Sequence, residues 1–391
     1  MKEGIKMNNK MFQSVVYVIV IILSIAFIYF GNRVATRGND YELLSGAQES
    51  LVTAEVTAIR KQTNNTETGD IEIYFSAYTD NGDDVIGLQT INQYDPTVAV
   101  KAVEEGDKVI LDNSVGNQWQ FTNYVRTNYL IWLGIVFVVL LLFFGRLKGF
   151  NTLISLGFTC LAVFVVFVPA VISGENIYIW SIVICIYTIL MTILIVNGFN
   201  TKSFMAMLGC AGGVIIAGIL TLIMNSVLKW NGIMDADCQR LILEFPNMDL
   251  LAMIFASVTI GAMGAVMDVA MSMASSLHEL KLKAADISSK ELYKSGMAIG
   301  RDMMGTMANT LVLAYIGSAL EVTVLQVIYN GSLFELMNKE KIILEVMQAI
   351  VGSLGILLAI PFTAFICSVF YKNIKPHKME NNEENFVQYK N

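Results

Sequence analysis

The sequence predicts an all-α polytopic membrane bundle of about eight transmembrane helices with a small extracytoplasmic β-rich domain. Of its 391 residues, 55% are hydrophobic and only 15% are charged, which is typical of integral membrane proteins rather than soluble ones. Apolar runs recur along the chain at the length needed to cross about 30 Å of hydrocarbon. One long polar stretch interrupts them and alternates in the manner of β-strands.

Eight apolar runs are long enough to span a membrane, and they define the predicted domains. The spans are 11–30, 129–144, 152–172, 177–196, 204–228, 250–273, 296–320 and 342–371. The predicted domains are an N-terminal anchor helix at 1–30, an extracytoplasmic β-rich domain at 31–128, a seven-helix membrane domain at 129–372 and a cytoplasmic tail at 373–391.

The first apolar run follows three lysines, as a secretory signal would. The run is longer than a signal core, and no small-residue cleavage site follows Phe30, so an uncleaved anchor is the better interpretation. A cytoplasmic N-terminus then places the basic loop residues inside and three tryptophans at the outer interface. We therefore predict that both termini are cytoplasmic. The tryptophans are Trp132, Trp180 and Trp230.

The polar stretch between the first two spans predicts five strands joined by turns. The strands are 51–60, 71–78, 84–92, 108–111 and 119–125. Their lengths fit a five-stranded sandwich or a partly open barrel, and Asp80-Asn81-Gly82 suits a tight hairpin turn. The domain carries fifteen acidic and seven basic side chains. A solvated outer face explains this excess more simply than a chamber that attracts cations.

Two polar stripes lie along the sixth and seventh spans. The first is Gly261, Gly264, Ala265, Asp268, Ser272, Ser275 and Glu279, and the second is Ser295, Asp302, Gly305, Thr306 and Asn309. At roughly 100° per residue, each set covers about a third of the helix circumference. An ionisable side chain in a bilayer costs about 3 kcal/mol or more unless it has a partner or water. Asp268 and Asp302 are therefore the first functional candidates.

The same two spans carry a resemblance to a known family. The segments GAVMDVAMSMASSLHEL at 264–280 and GRDMMGTMANTLVLAYIG at 300–317 resemble the signature segments of the YibE/F-like family of bacterial multi-span membrane proteins. The anchor, the outer domain and Pro361-Phe362-Thr363 are similar to that family as well. The resemblance implies a location in the bacterial plasma membrane. It supplies an organisation and a set of important positions, and no reaction.

We expect the two stripes to meet in one cytoplasm-facing polar site, because a short loop joins two antiparallel helices. Arg301 is expected to pair with Asp268 or Glu279, and the remaining oxygens suit a proton or a hard cation. The competing interpretation is a hydrogen-bond and ion-pair network that only holds the bundle together. The predicted site residues are Asp268, Ser272, Ser275, Glu279, Arg301, Asp302, Thr306 and Asn309.

Other chemistries fit the sequence poorly. His278-Glu279 begins like a zinc-protease helix, but Leu282 stands where the second histidine is required. An intramembrane aspartyl hydrolase is a minor alternative, since Arg301 beside Asp302 would lower the carboxyl pKa that such chemistry needs raised. The five cysteines suit buried small hydrophobic residues rather than disulfides or metal ligands. We predict no cofactor, no metal site and no nucleic-acid partner.

Together these observations predict a membrane permease or ion-coupled transporter of an unknown small solute or ion, and not an enzyme. The alternative is a non-transporting scaffold or accessory protein whose outer domain binds a partner and whose polar stripes are structural. The expected partners are the lipid bilayer, a small solute or ion, and further copies or other chains in a homo- or hetero-oligomer.

Overall fold

The computed structural model describes residues 2–37, 51–64, 70–92, 101–113, 118–284, 286–329 and 332–371. The predicted tail at 373–391 lies outside these residues. The chain forms two compact units, one made of Met1–Asn39 with Phe150–Asn391 and the other of Asp40–Gly149.

Five strands in the second unit form a closed barrel, which confirms the predicted strands and selects a barrel over a sandwich. The strand order around the barrel is β1-β2-β3-β5-β4. All neighbours pair antiparallel except β3 and β5, which are parallel. This is the Greek-key arrangement of the OB-fold. The strands are β1 (Leu51–Asn64), β2 (Asp70–Thr79), β3 (Asp84–Asn92), β4 (Lys108–Asp112) and β5 (Trp119–Tyr124).

Alternating side chains explain why these segments form a barrel. In β2, Ile73, Phe75 and Ala77 are buried, and the residues between them point the other way. The hairpin between β2 and β3 turns at Gly82, which has a φ of +94°. Its N–H donates to the carbonyl oxygen of Thr79 at 2.9 Å. Glycine adopts this positive φ without strain, as the sequence predicts.

The other elements of the described residues are helical. They are α1 (Lys2–Ala35), α2 (Thr127–Leu161), a π-helical stretch (Ala162–Phe167), α3 (Val168–Ile172), α4 (Ile177–Asn197), α5 (Thr201–Leu228), α6 (Ala236–Glu244), α7 (Leu250–Lys283), α8 (Ser289–Ser318), α9 (Leu320–Tyr329), α10 (Leu333–Leu336) and α11 (Glu340–Phe370).

Within the described residues, six helical segments are long and apolar enough to cross a membrane, or seven if α8 and α9 count as one bent span. The predicted number was eight. The difference arises because the second and third predicted spans join in one apolar run, Thr127–Ile172, interrupted at Arg146, whose φ and ψ are 49° and −129°. The predicted span at 296–320 lies within the bent pair, in which α8 ends at Ser318 and meets α9 at an angle of 63°.

Helices α5, α7 and α11 pack closely around glycines of α5. A Cβ on Gly213 would lie 2.6 Å from Val266 of α7 and 2.8 Å from Ala359 of α11. Gly209 and Gly212 meet Thr363 and Phe362 of α11 in the same way. Small residues at this spacing allow helix backbones to approach closely in lipid.

Candidate functional site

Helix α7 carries the first polar stripe, and its two ends fix it in place. The Asp249 side chain accepts a hydrogen bond from the N–H of Ala252 at 3.0 Å and so caps the N-terminus. Lys281 and Lys283 lie in the last turn, where cations favour the helix dipole. The Lys281 ammonium also donates to the carbonyl oxygen of Ile287 at 3.3 Å, which ties the end of α7 to the loop before α8.

The polar stripe of α7 lies on the side that the bundle leaves open, because the opposite side is apolar and buried. The exposed members of the stripe are Gly261, Gly264, Asp268, Ser272 and Glu279, while Ala265 and Ser275 are half-buried. Ser257 is exposed one turn nearer the helix N-terminus and extends the same face.

Helix α8 carries the second stripe and begins with a capping box. The Ser288 and Glu291 side chains each accept a hydrogen bond from the other's backbone N–H. Only Leu292, Gly296 and Gly300 of α8 are fully buried. The predicted site residues of this helix are all exposed. They are Arg301, Asp302, Thr306 and Asn309.

Close contacts between α7 and α8 fix the relative depth of the two stripes. A Cβ on Gly296 would lie 3.0 Å from Leu277, and one on Gly300 would lie 3.3 Å from Met273. The helices are therefore antiparallel. Counting residues along both helices from these contacts puts Asp302 at the depth of Ser272. Asp268 lies about one turn away, at the depth of Thr306.

Counting from these contacts, Asp268, Ser272, Arg301, Asp302 and Thr306 lie within about one helical turn of one another in depth, whereas Glu279 and Asn309 lie roughly 20 Å apart along the bundle. The structure does not bond the eight predicted residues to one another. In the part of the chain that the structure describes, no hydrogen bond or ion pair joins any two of them. The expected pairing of Arg301 with Asp268 or Glu279 is therefore absent from the described residues. The Thr306 hydroxyl instead donates to its own helix, at the carbonyl oxygen of Met303, 3.0 Å away.

Histidine and cysteine side chains do not build a metal site in the described ranges, where no three His, Cys, Asp or Glu residues cluster. His278 packs edge-on against Tyr371, with ring centroids 5.4 Å apart. Cys185, Cys210 and Cys367 are buried, as predicted, whereas Cys160 is exposed on an apolar helix. His278 and the three buried cysteines therefore belong to the packing of the bundle.

Sequence reasoning missed a polar group at the other end of the α7 face. The Gln348 amide of α11 donates to the Ser257 hydroxyl at 2.8 Å. The Tyr315 hydroxyl of α8 lies 2.7 Å from the position a Cβ on Gly261 would take. Glu345, which is half-buried, precedes Gln348 on α11. The signal was present, since Glu345 and Gln348 are three residues apart on one helix face.

The acidic loop before α7 has structural roles. Asp235 caps α6 by accepting from the N–H of Cys238 at 2.9 Å, and it forms an ion pair with Lys341 of α11 at 2.8 Å. The hydrogen bond from Lys341, with the bonds from Cys238, lowers the pKa of Asp235 to about 2. Asp249 caps α7, so two of the loop's acids serve as helix caps.

The length and apolar composition of the helices are compatible with a multi-pass membrane protein, which also carries a small β-barrel. Residues 133–373 match the family described as YibE/F-like protein. The match covers more than half of the chain, and the chain belongs to this family, as the resemblance implied. No curated protein and no solved structure shows detectable similarity to it.

Proposed function

We propose that the protein is a permease or ion-coupled transporter of a small solute or ion, and that polar residues of α7 and α8 line its path. One observation carries the proposal. The polar face of α7 runs from Ser257 to Glu279, which is about 33 Å at 1.5 Å per residue. This length matches the hydrocarbon thickness of a bilayer, about 30 Å.

Exposure of the two aspartates supports a water-lined path. Asp268 and Asp302 are exposed on helices α7 and α8. Placing either charged side chain against lipid would cost about 3 kcal/mol or more of free energy. Water along the face removes that cost. Nothing lies within 4 Å of the position a Cβ on Gly264 would take, so the face is open beside Asp268.

The depth of the two carboxylates suits charge coupling. Asp268 and Asp302 differ by about one helical turn, or ~6 Å, in depth. A cation that binds between two such carboxylates reduces the repulsion between their negative charges. The hydroxyls of Ser272 and Thr306 and the amide of Asn309 supply further oxygen ligands at similar depth. Such a pair links the binding of a positive charge to a change in helix arrangement.

The orientation of this path in the membrane is inferred from the charge distribution of the chain. We infer eight spans in the bacterial plasma membrane, with Arg146 at the turn between the second and third. Both termini then lie in the cytoplasm and the barrel lies outside, because lysines and arginines favour the inner loops and tryptophans the outer interface.

Removing one charge at a time tests the function. Asp268→Asn and Asp302→Asn keep the side-chain shape and most hydrogen-bonding capacity but lose the charge. The matched control is Asp286→Asn, the same change at an exposed residue of the loop between α7 and α8.

Each variant is measured for protein abundance and for rescue of a deletion strain, under the ion or solute stress to which that strain is sensitive. A transport site predicts abundant protein without rescue for the two bundle variants, and normal rescue for the control. Full rescue by the Asp268→Asn, Asp302→Asn double variant would falsify the proposal.

The barrel favours a second candidate, a scaffold or accessory protein that captures a partner. Its closed five-stranded arrangement is one that other proteins use for binding. This function predicts a stable partner that is recovered with the full chain and lost on deletion of 31–128. Transport predicts that charge changes in α7 and α8 abolish activity even while such a partner stays bound.

A further inference from the structure

Helices α5 and α11 touch at small residues and separate towards the end of α5, which leaves a groove between them. A Cβ on Gly355 of α11 would lie 3.2 Å from Ala217 of α5, so the two helices are in close contact there. Beyond this contact, each helix lines the groove with larger side chains that recur every four residues and so share one face. They are Met224 and Leu228 of α5, and Ile342, Val346, Ile350 and Leu354 of α11.

The groove has an apolar floor and one open side. Met347 and Val351 lie at its floor and are only 4% and 3% exposed. Val346 and Ile350 also line it but are 39% and 52% exposed, so the described residues leave the groove open along α11. Both α5 and α11 are long and apolar enough to cross a membrane. In a membrane, the open side of the groove therefore faces lipid.

The groove has the dimensions of a single hydrocarbon chain. From Ile342 to Leu354 it runs about 18 Å at 1.5 Å per residue, close to half of a hydrocarbon core about 30 Å thick. Its volume is about 360 Å³, and spreading that volume over this length gives a mean cross-section of about 20 Å², or ~4.5 Å across. Nonbonded carbons pack about 4 Å apart, so one extended acyl chain fits. A helix, about 10–12 Å wide with its side chains, is too large.

Polar atoms lie at one end of the groove, where α5 ends and α11 begins. Asn338 lines this end, and the other lining residues are apolar. The Asn338 amide nitrogen donates to the carbonyl oxygen of Phe334 at 2.7 Å, which leaves the amide oxygen free to accept a hydrogen bond. The groove is thus polar where two membrane-spanning helices end and apolar along the rest of its length, as an amphiphile is.

Lys229 supplies an unpaired positive charge at the same end. It is the first residue past α5, in the left-handed conformation that ends the helix, with a φ of +52°. Its side chain is exposed and forms no hydrogen bond or ion pair with any residue that the structure describes. The lysines at the start of α11 are already paired, Lys339 with Glu335 at 3.6 Å and Lys341 with Asp235 at 2.8 Å. Lys229 is therefore available to an anion at the end of the groove.

We propose that the groove binds one acyl chain of an anionic phospholipid, whose phosphate pairs with Lys229 and whose head-group hydroxyl donates to Asn338. The apolar lining buries the chain, and the lysine beside the groove selects the charge of the head group. This site lies apart from the proposed transport path, because none of its residues belongs to the polar face of α7. It predicts that lipid binds the protein at a fixed position and in a fixed ratio of one per chain.

Filling the groove tests where the chain binds. The full-length protein is stripped of lipid in detergent and titrated with dioleoyl phosphatidylglycerol, and bound lipid is counted by native mass spectrometry. Val346→Trp and Ile350→Trp each place an indole in the groove from an exposed position, so we expect affinity to fall about tenfold or more. The matched control is Ile223→Trp, an equally exposed site of α5 outside the groove, which should bind as the parent does. Parental affinity in either groove variant overturns the site.

Removing the charge of Lys229 tests the head group without changing the volume of the groove. In the parent we expect phosphatidylglycerol to bind about fivefold more tightly than phosphatidylcholine with the same chains, whose net charge is zero. Lys229→Gln should bind the two lipids equally. The matched control Lys290→Gln removes an exposed lysine at the start of α8 and should keep the parental preference. An unchanged preference in Lys229→Gln, or no preference in the parent, overturns the anionic lipid.

The mass spectra also distinguish lipid from protein in the groove. One phosphatidylglycerol per parent chain, weakened by both groove variants and not by Ile223→Trp, supports the proposal. A mass of two chains that Val346→Trp and Ile350→Trp both reduce to one would identify a second copy of the chain as the occupant and overturn it. Failure of this site leaves the proposed transport function untouched, since that function is measured by rescue with Asp268 and Asp302 variants.

Discussion

Gly213 offers the sharpest test of how the bundle is packed. A Cβ at this position of α5 would lie 2.6 Å from Val266, 2.8 Å from Ala359 and 3.1 Å from the carbonyl oxygen of Gly355. Ordinary carbon contacts are about 3.5–4.0 Å, so the overlap is roughly 1 Å on two sides. These neighbouring atoms are rigidly attached to the backbones of α7 and α11, so relief requires the helices to separate. We expect Gly213→Ala to cost about 1–3 kcal/mol and Gly213→Leu to cost more.

The matched control is Gly157 of α2, where nothing lies within 4 Å of the position of a Cβ. Gly157→Ala should be neutral or slightly stabilising, because alanine favours the helix. Unfolding of each purified variant is followed by circular dichroism during titration with a denaturing detergent. A Gly213→Leu protein that accumulates normally and unfolds at the parental midpoint would show that α5 does not approach α7 and α11 closely.

Two further predictions concern topology and pH. A cysteine at Asn64 in β1 should react with an impermeant reagent on intact cells, and a cysteine at Asp286 only after permeabilisation; the reverse pattern contradicts the orientation. The depressed pKa of Asp235, about 2 against an ordinary 3.8, means that its pairing with Lys341 stabilises the fold above pH ~4 and is lost as the pH falls through about 2. The two side chains are partly exposed, so Lys341→Met should cost about 1 kcal/mol or less near neutral pH, and its melting curves should converge on the parental ones as the pH approaches 2.

The barrel shows which part of a fold local sequence can predict. Alternation and turn residues located all five strands to within a few residues, because each strand reports its own burial pattern. Closure could not be predicted in the same way. It depends on the parallel pairing of Gly87 with Trp119 and of Leu88 with Gln120, between segments that no short turn connects.

Hydropathy located the apolar helices but not how they are divided. It placed separate spans on either side of Arg146, where the backbone leaves helical geometry within one long run. It also missed the 63° bend between α8 and α9. A bend that leaves both sides apolar does not change a hydropathy average, so composition alone does not reveal it.

Only part of the candidate site could be predicted from the sequence. Helical periodicity shows which residues of one helix share a face, and the exposed faces of α7 and α8 agree with it. Whether two faces turn towards each other depends on helix tilt and on contacts such as Gly300 with Met273. The sequence did not predict Glu345 as a site residue, because an acid about one and a half turns into a helix is typical of the membrane interface.

Water access to the polar face of α7 tests the central claim most directly. In a full-length variant without native cysteines, Gly264→Cys and Ser272→Cys are treated in turn with a membrane-impermeant thiol reagent. The control is Ile215→Cys on the exposed apolar side of α5, at the depth of Gly264 because Gly213 packs against Val266. A water-lined path predicts that both α7 cysteines react while Ile215→Cys does not. Unreactive cysteines at both α7 positions, in abundant and folded protein, would contradict the account and leave the polar face as dry structural contact.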